Sequence, residues 1–413
     1  MQDTELYRHV LGLETPWKVD SVKLDVPGGR VDVWAVHEEG RRWACPDCRT
    51  ELPLYDHAPE RVWRHLDTCQ FKTYLHARVP RVECPTHGVR QVMVPWAEAR
   101  SRFTALFERL AIDVLLASDV ESGRKILRLS WDEAWGIMKR AVARGKRRKR
   151  TRVVRKMGVD EKSAARGHNY LTVVSDLERG TVEYLGDNRD EDSLDGYLGK
   201  LAPRCRAKIE SIAMDMWDPY LASIRKHVPQ SEEKVVFDRY HLMTHMVKAV
   251  DEVRKAEHRE LMQSADERLK GTKYLWLYSK ENLPREKRGR LRSLRRMDLR
   301  TARAWAIKEN FRGLWRFFRR TWAEKYFKSW FFWATHSKLA PVIRAAWTFK
   351  RHLAQILNFV HHRITNAVSE GLNSKIQTIK KKAYGFRNRE NFKTSIFFHC
   401  GGLNLYPVTH KNV

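Results

Sequence analysis

Val153-Val154-Arg155-Lys156-Met157-Gly158-Val159-Asp160-Glu161 is a short apolar run that ends in acid, and Ile209-Glu210-Ser211-Ile212-Ala213-Met214-Asp215-Met216 reads the same way. β-prone runs closed by a carboxylate predict strands that deliver an acid at a sheet edge. Between them, residues 170–177 and 181–186 read as strands and residues 191–201 as a helix. After Asp215 a short helix over 218–227 leads to Val235-Val236-Phe237-Asp238, another strand ending in acid. The predicted order is β-β-β-α-β-α-β.

That order matches a ribonuclease-H-like sheet, in which the first and fourth strands are neighbours, so Asp160 and Asp215 would end side by side. Adjacent carboxylates repel, and a divalent cation is the usual way to hold them together. Glu161, Asp176, Asp187, Asp190 and Asp218 lie nearby and read as surface or turn residues. A third acid is read from a helix: Asn366, Glu370, Asn373 and Gln377 fall at steps of four, three and four on one polar face. Val368, Leu372, Ile376 and Ile379 take the opposite face. Lys375, Lys380 and Lys381 on this helix are placed for DNA phosphates. Glu370 follows Asp215 by 155 residues, too far for a plain core, which predicts a helical insertion over 242–362. The insertion holds a basic loop near 285–303 and six of the 15 tryptophans: Trp305, Trp315, Trp322, Trp330, Trp333 and Trp347. Core packing is the favoured account of those rings. Interleaved Arg and Lys leave room for base stacking, with the cluster Trp315-Arg316, Arg319-Arg320 and Trp322, read as lying near one helical face, the first choice.

In the amino-terminal third, a helical start over 5–13 precedes strands over 19–26 and 31–36, joined by Pro27-Gly28-Gly29. Cys45-Pro46-Asp47-Cys48 is followed, 36 residues after Cys48, by Cys84-Pro85-Thr86-His87. Two such knuckles supply four ligands at zinc spacing. His57, His65, His76 and Cys69 remain open as substitutes for His87. From Phe103 the pattern turns helical, and residues 120–129 and 134–142 flank Ser130-Trp131-Asp132-Glu133, a capping-box start. This predicts a helix-turn-helix whose second helix enters the major groove. The next run, Arg144-Gly145-Lys146-Arg147-Arg148-Lys149-Arg150, reads as a basic linker laid along phosphates, with Arg147, Arg148, Lys149 and Arg150 as contacts.

A formal net charge of +29 over 413 residues implies a polyanionic partner, with nucleic acid first and a membrane surface second. Long apolar spans are absent and the start is polar, which predicts a cytoplasmic protein near the nucleoid with no membrane partner. Six cysteines in such a chain argue against a disulfide framework.

The blocks Gly158-Val159-Asp160-Glu161, Met214-Asp215-Met216 with Pro219-Tyr220, Asp238-Arg239-Tyr240-His241, and Thr365-Asn366 through Ser369-Glu370-Gly371-Leu372-Asn373 resemble the DDE transposases of the ISL-three family of bacterial insertion sequences. The resemblance covers most of the chain. It implies that Asp160, Asp215 and Glu370 bind the catalytic Mg²⁺ or Mn²⁺, with Asp238, His241 and Asn373 in support. It also implies Zn²⁺ on Cys45, Cys48, Cys84 and His87, although the family usually has cysteine at the fourth place. The expected fold is multidomain α/β. A zinc-binding β module (1–100) and a helix-turn-helix (101–150) precede a ribonuclease-H-like catalytic core (151–241 and 363–413), which the helical insertion interrupts. The expected activity is binding of terminal inverted repeats, strand cleavage and strand transfer into target DNA, by a homodimer on DNA. A ribonuclease-H-like structure-specific nuclease, or a catalytically silent regulator derived from a transposase, are the alternatives.

Overall fold

The computed structural model describes residues 2–149, 153–163 and 169–408, which form two compact units. The first contains residues 2–149, 381–384 and 390–408. The second contains residues 153–163, 169–380 and 385–389.

In the first unit a helix, Asp3–Leu11, leads into a hairpin of strands Trp17–Asp25 and Arg30–His37. Gly28 makes the turn possible: the Asp25 carboxylate accepts its N–H at 2.9 Å, and an added Cβ would lie 2.2 Å from that carboxylate. The hairpin continues into a four-stranded sheet through Lys72–Ala77 and Arg61–Arg64. Trp17, Val33, Trp63, Leu75 and Trp96 fill its core. Helices Ala105–Ala117, Val120–Ile126 and Trp131–Arg148 follow. The Ser130 hydroxyl accepts from the Glu133 N–H and the Glu133 carboxylate accepts from the Ser130 N–H, so the expected capping box starts the last helix.

The run 144–150 is not a linker. The Trp131–Arg148 helix takes in its residues 144–148, because Arg144 has buried partners that the charge run alone does not reveal. Its guanidinium, 1% exposed, donates to Glu98 at 2.7 Å and to Glu108 at 2.8 Å. It also donates to the Leu405 carbonyl. Gly145 lets the chain end approach, since a Cβ there would lie 2.6 Å from that of Leu403. Arg148 donates to the Tyr406 carbonyl and Lys149 to that of Gly401, so both are engaged in holding the chain end. Arg147 is exposed, and Arg150 lies outside the described residues. Residues 390–408 therefore pack in this unit, whereas the sequence reading assigned all of 363–413 to the catalytic core.

The second unit is built on a five-stranded sheet. Its order is Thr181–Asp187, Tyr170–Asp176, Lys156–Ser163, Ser211–Met214 and Val235–Phe237. The first three strands pair antiparallel and the last two join in parallel. The expected first and fourth strands are neighbours, with Val159 opposite Met214. Helices Glu191–Leu198 and Asp218–His227 complete the predicted order. From Arg239–Gln263 to Leu353–His362 the chain is helical. The stretch 285–303 is helical too (Arg285–Arg295, then the start of Arg300–Phe311) rather than a loop, since Leu291 and Leu294 give it a face to bury.

The tryptophans spread over four elements. Trp305 lies in Arg300–Phe311, Trp315 in a 3₁₀ turn (Arg312–Arg316), Trp322, Trp330 and Trp333 in Arg320–Thr335, and Trp347 in Ala340–Arg351. Trp305 and Trp330 are core; Trp322 is 54% exposed. Phe317, extended at ψ 143°, breaks the chain between Trp315 and Trp322, so these two do not share a helical face as expected. Among the described residues no helix is long and apolar enough to cross a membrane.

Candidate active site and zinc site

The four donors of the amino-terminal knuckles converge. Cys48 Sγ lies 3.6 Å from Cys84 Sγ, His87 Nδ1 lies 3.4 Å from Cys84 Sγ and 3.9 Å from Cys45 Sγ, and all four atoms lie within 4.8 Å of one another. Tetrahedral zinc, with bonds of about 2.0–2.3 Å, needs donor separations of about 3.5–3.8 Å. Hydrogen bonding with Thr50 holds the Cys48 thiol down at about 6, and the His87 contact lowers Cys84, so both favour the thiolate that zinc takes. The rival donors are occupied elsewhere. His57 meets His37 at 2.7 Å, His65 is buried on Thr104, and His76 bridges Glu60 and Asp32. Cys69 is exposed and outside the cluster.

The second site gathers at the edge of the five-stranded sheet. Asp160 lies on the Lys156–Ser163 strand, one position beyond the Val159–Met214 pair, and Asp215 directly follows Met214. The two acids thus leave adjacent parallel strands at the same level. Glu370 comes from the helix Ala367–Lys382, and Gly158 is what lets that helix approach. An added Cβ at Gly158 would stand 2.4 Å from Ser369 Oγ and 2.6 Å from Ser175 Oγ, groups that themselves lie 3.2 Å apart. One turn beyond Glu370, Asn373 donates to Asp160 Oδ2 at 2.6 Å, tying the third acid's helix to the first acid. The other Asp160 oxygen accepts from the Glu161 N–H at 2.7 Å.

Burial raises the Asp160 carboxyl above its usual range. Asp215 is pushed up to about 8, first by burial and then by the charges of Asp160, Asp238, Glu161 and Glu370. Its Oδ1 is buried without any hydrogen-bond partner, while Oδ2 faces His241 Nδ1 at 3.1 Å. A carboxylate crowded by like charge, with one oxygen unsatisfied, is a donor set suited to a hard divalent cation. Asp238 closes the Val235–Phe237 strand and caps the Arg239–Gln263 helix, accepting from the Tyr240 and His241 N–H groups. With Asp215 and His241 it forms a second group of donor atoms within 4.8 Å of one another. The sequence gives these two residues a supporting role, and their closeness is legible in it, because a capping Asp places the residue three positions on over its own turn. A cavity of about 520 Å³ adjoins the site, lined by Asp238, Tyr240, Arg312, Trp315, Asn366 and Glu370.

The expected polar face of the Glu370 helix is only partly realised. Glu370 is exposed, Leu372 and Ile376 are buried, but Asn366 is buried and Val368 exposed. Lys375 and Lys381 are exposed, whereas Lys380 donates to the Ser163 carbonyl at 3.0 Å.

A metal-ready acid cluster in the same chain as a zinc site and a three-helix segment defines a class, and comparison with known proteins agrees. A family model described as transposase matches residues 157–396, more than half of the chain. The chain is a DDE-type transposase. It belongs to the ISL3 family of insertion-sequence transposases. A model for the zinc-finger of transposase IS204/IS1001/IS1096/IS1165 matches residues 41–87, and one for the helix-turn-helix domain of transposase family ISL3 matches residues 92–142. The chain is 26% identical over 352 residues to the transposase for insertion sequence element IS1001 of Bordetella parapertussis, covering 84% of this chain and 86% of that protein. It is 25% identical over 417 residues to the transposase for insertion sequence element IS1557 of Mycobacterium tuberculosis, covering 94% and 93%. No solved structure gives a significant match. The protein is thus a DNA transposase of an insertion sequence, with a DNA-binding helix-turn-helix and a zinc ribbon.

Proposed function

We propose that the chain cuts DNA at the terminal inverted repeats of its element and joins the freed 3′ ends to target DNA, through a ribonuclease-H-like core whose ligands are Asp160, Asp215 and Glu370. The observation that carries this reading is Asp215, whose buried Oδ1 has no partner while carboxylates surround it. Mg²⁺ or Mn²⁺ bound there would supply Lewis-acid activation of water and of the 3′-OH. The protein's own part is placement. Asp160 is held by Asn373 and the Glu161 N–H, which leaves its carboxylate in one orientation. The exposed Glu370 carboxylate faces the cavity that receives the scissile strand.

In this reading residues 1–149 with 390–408 recognise the ends. Exposed Arg147, Lys375 and Lys381 take phosphates, and two copies act together because two ends must be cut. Work of this kind places the protein on cytoplasmic DNA. Incubating it with the DNA that flanks its gene, with Mg²⁺ or Mn²⁺, should give 3′ nicks at both ends and joining of each 3′-OH to a second duplex. Nicks without joining would make it a nuclease, and binding without nicks a regulator.

A further inference from the structure

We propose that His241 and Asp238 are metal ligands alongside Asp215, forming a nitrogen–oxygen cation position that takes Mn²⁺ in preference to Mg²⁺. This rests on the reading of Asp215 as a metal acid and extends it to two residues outside the three-acid set. Three independent features converge on the position. The Asp238 N–H donates to the Met214 carbonyl at 2.9 Å, which locks the end of the last strand against the residue before Asp215. Asp238 Oδ2 is then fixed by the N–H groups of Tyr240 (3.1 Å) and His241 (3.3 Å), and its Oδ1 is left for another partner. The first helical turn carries His241 over Asp215, with Nδ1 3.1 Å from Oδ2. Two ligands at about 2.1 Å from one octahedral cation and at right angles lie about 3.0 Å apart.

A purely structural account would make Asp238 a helix cap and His241 an ion-pair partner. It explains each of those contacts singly, but not why Asp215, Asp238 and His241 bring three donor atoms within 4.8 Å of one another. A cation shared by the three side chains accounts for that convergence, with His241 Nδ1 and Asp215 Oδ2 both on it. The imidazole also sets the selectivity. All-oxygen sites suit Mg²⁺, whereas a ring nitrogen favours transition ions. The preference for Mn²⁺ therefore comes from His241.

The test uses the full-length protein with its zinc site filled by diamagnetic Zn²⁺, titrated with MnCl₂ and read by pulsed electron paramagnetic resonance. Bound Mn²⁺ should show ¹⁴N coupling from a directly ligated imidazole. His241→Asn should abolish that coupling; the side chain is 44% exposed, so its replacement leaves the core intact. Asp238→Asn keeps the helix cap, because Asn caps as well as Asp, and should weaken Mn²⁺ binding by more than the roughly 10-fold that loss of a mere outer partner costs. Asp160→Asn should retain the coupling. Bound Mn²⁺ without ¹⁴N coupling, or coupling that survives in His241→Asn, overturns the proposal. Uptake of no Mn²⁺ by the wild type overturns it too. In each of those cases Mg²⁺-supported cleavage that is lost in Asp160→Asn and Glu370→Gln would still uphold the three acids.

Discussion

The two metal-ready sites of this chain are built in opposite ways. At the zinc ribbon, three thiols and an imidazole have already collapsed onto one another, with all four donor atoms within 4.8 Å of one another. A closed set of soft ligands has no position left for substrate, so its metal holds structure. At the sheet edge the donors are hard and mutually repelling. They are kept near one another by strand register, a helix cap and Gly158 rather than by mutual attraction. One oxygen of Asp215 remains unsatisfied. An open, crowded carboxylate site is where a cation can also bind substrate. The first site is stable because it is finished, and the second is useful because it is not.

The largest expected effect tests the closed site. Cys45→Ser should abolish zinc binding, and because structural zinc contributes on the order of 10 kcal/mol to small finger folds, residues 41–87 should unfold. Metal content and protease sensitivity of the full chain report both changes. Full zinc content in the variant would remove Cys45 from the site.

The open site should behave differently under equally small changes. Asp160→Asn, Asp215→Asn and Glu370→Gln keep shape and remove charge, so folding and end binding should persist while cleavage falls. The loss should be several kcal/mol of transition-state stabilisation, about 10³-fold or more in rate. For Asp215→Asn the metal-free protein should even gain thermal stability, since the crowded charge is gone. A variant that still nicks its end substrate at wild-type rate would exclude that residue.

Much of this contrast is legible in the sequence. Apolar runs ending in Asp160 and Asp215 are local signals, and so is the spacing of Cys45, Cys48, Cys84 and His87. What escaped reading depends on partners far along the chain. The basic run 144–150 has the composition of a linker, and only Glu98, Glu108 and the carbonyls of residues 401–406 make residues 144–148 a helix end anchored through a buried Arg144. The helix over 389–400 is apolar in sequence whichever unit it joins, and nothing local assigns it to the first. Trp315 and Trp322 are seven residues apart, a helical repeat, yet the extended Phe317 separates them. The place of His241 beside Asp215 follows from pairing of Asp238 with the neighbouring strand, not from spacing between the acids.

Arg144 sharpens the comparison from a third direction, because there charges are buried and fully paired without metal. Arg144→Ala would leave Glu98 and Glu108 facing an empty space, with Arg140 and the Ser101 hydroxyl remaining on Glu108. Breaking a buried ion pair costs about 3–5 kcal/mol, so thermal unfolding of the first unit should shift markedly downward while the zinc content of the folded protein stays unchanged. Deleting residues 401–413 should act in the same direction, since it removes the carbonyls that Arg144, Arg148 and Lys149 hold. Unchanged unfolding in both variants would show that the basic run is solvated after all.

The smallest effect concerns the insertion. Trp322 departs from the packing account: like Trp347 it is 54% exposed, and Lys325 Nζ stands 5.6 Å from its ring centroid. Arg320, two residues earlier, is engaged with Glu324 and Asn358, so the exposed ring rather than that guanidinium is free to meet DNA. An exposed ring beside a cation can stack on an unpaired base, which contributes ~1–3 kcal/mol. Trp322→Ala should leave the fold and the zinc site intact. It should slow cleavage of intact duplex ends, where the base must first be unpaired, more than cleavage of ends already unpaired at the junction. Trp330→Ala, in the same helix but buried against Phe311 and Phe349, should instead destabilise the fold without discriminating between the two substrates. Equal slowing on both substrates by Trp322→Ala would return its ring to an ordinary exposed surface position and leave the DNA contacts to the Arg and Lys side chains alone.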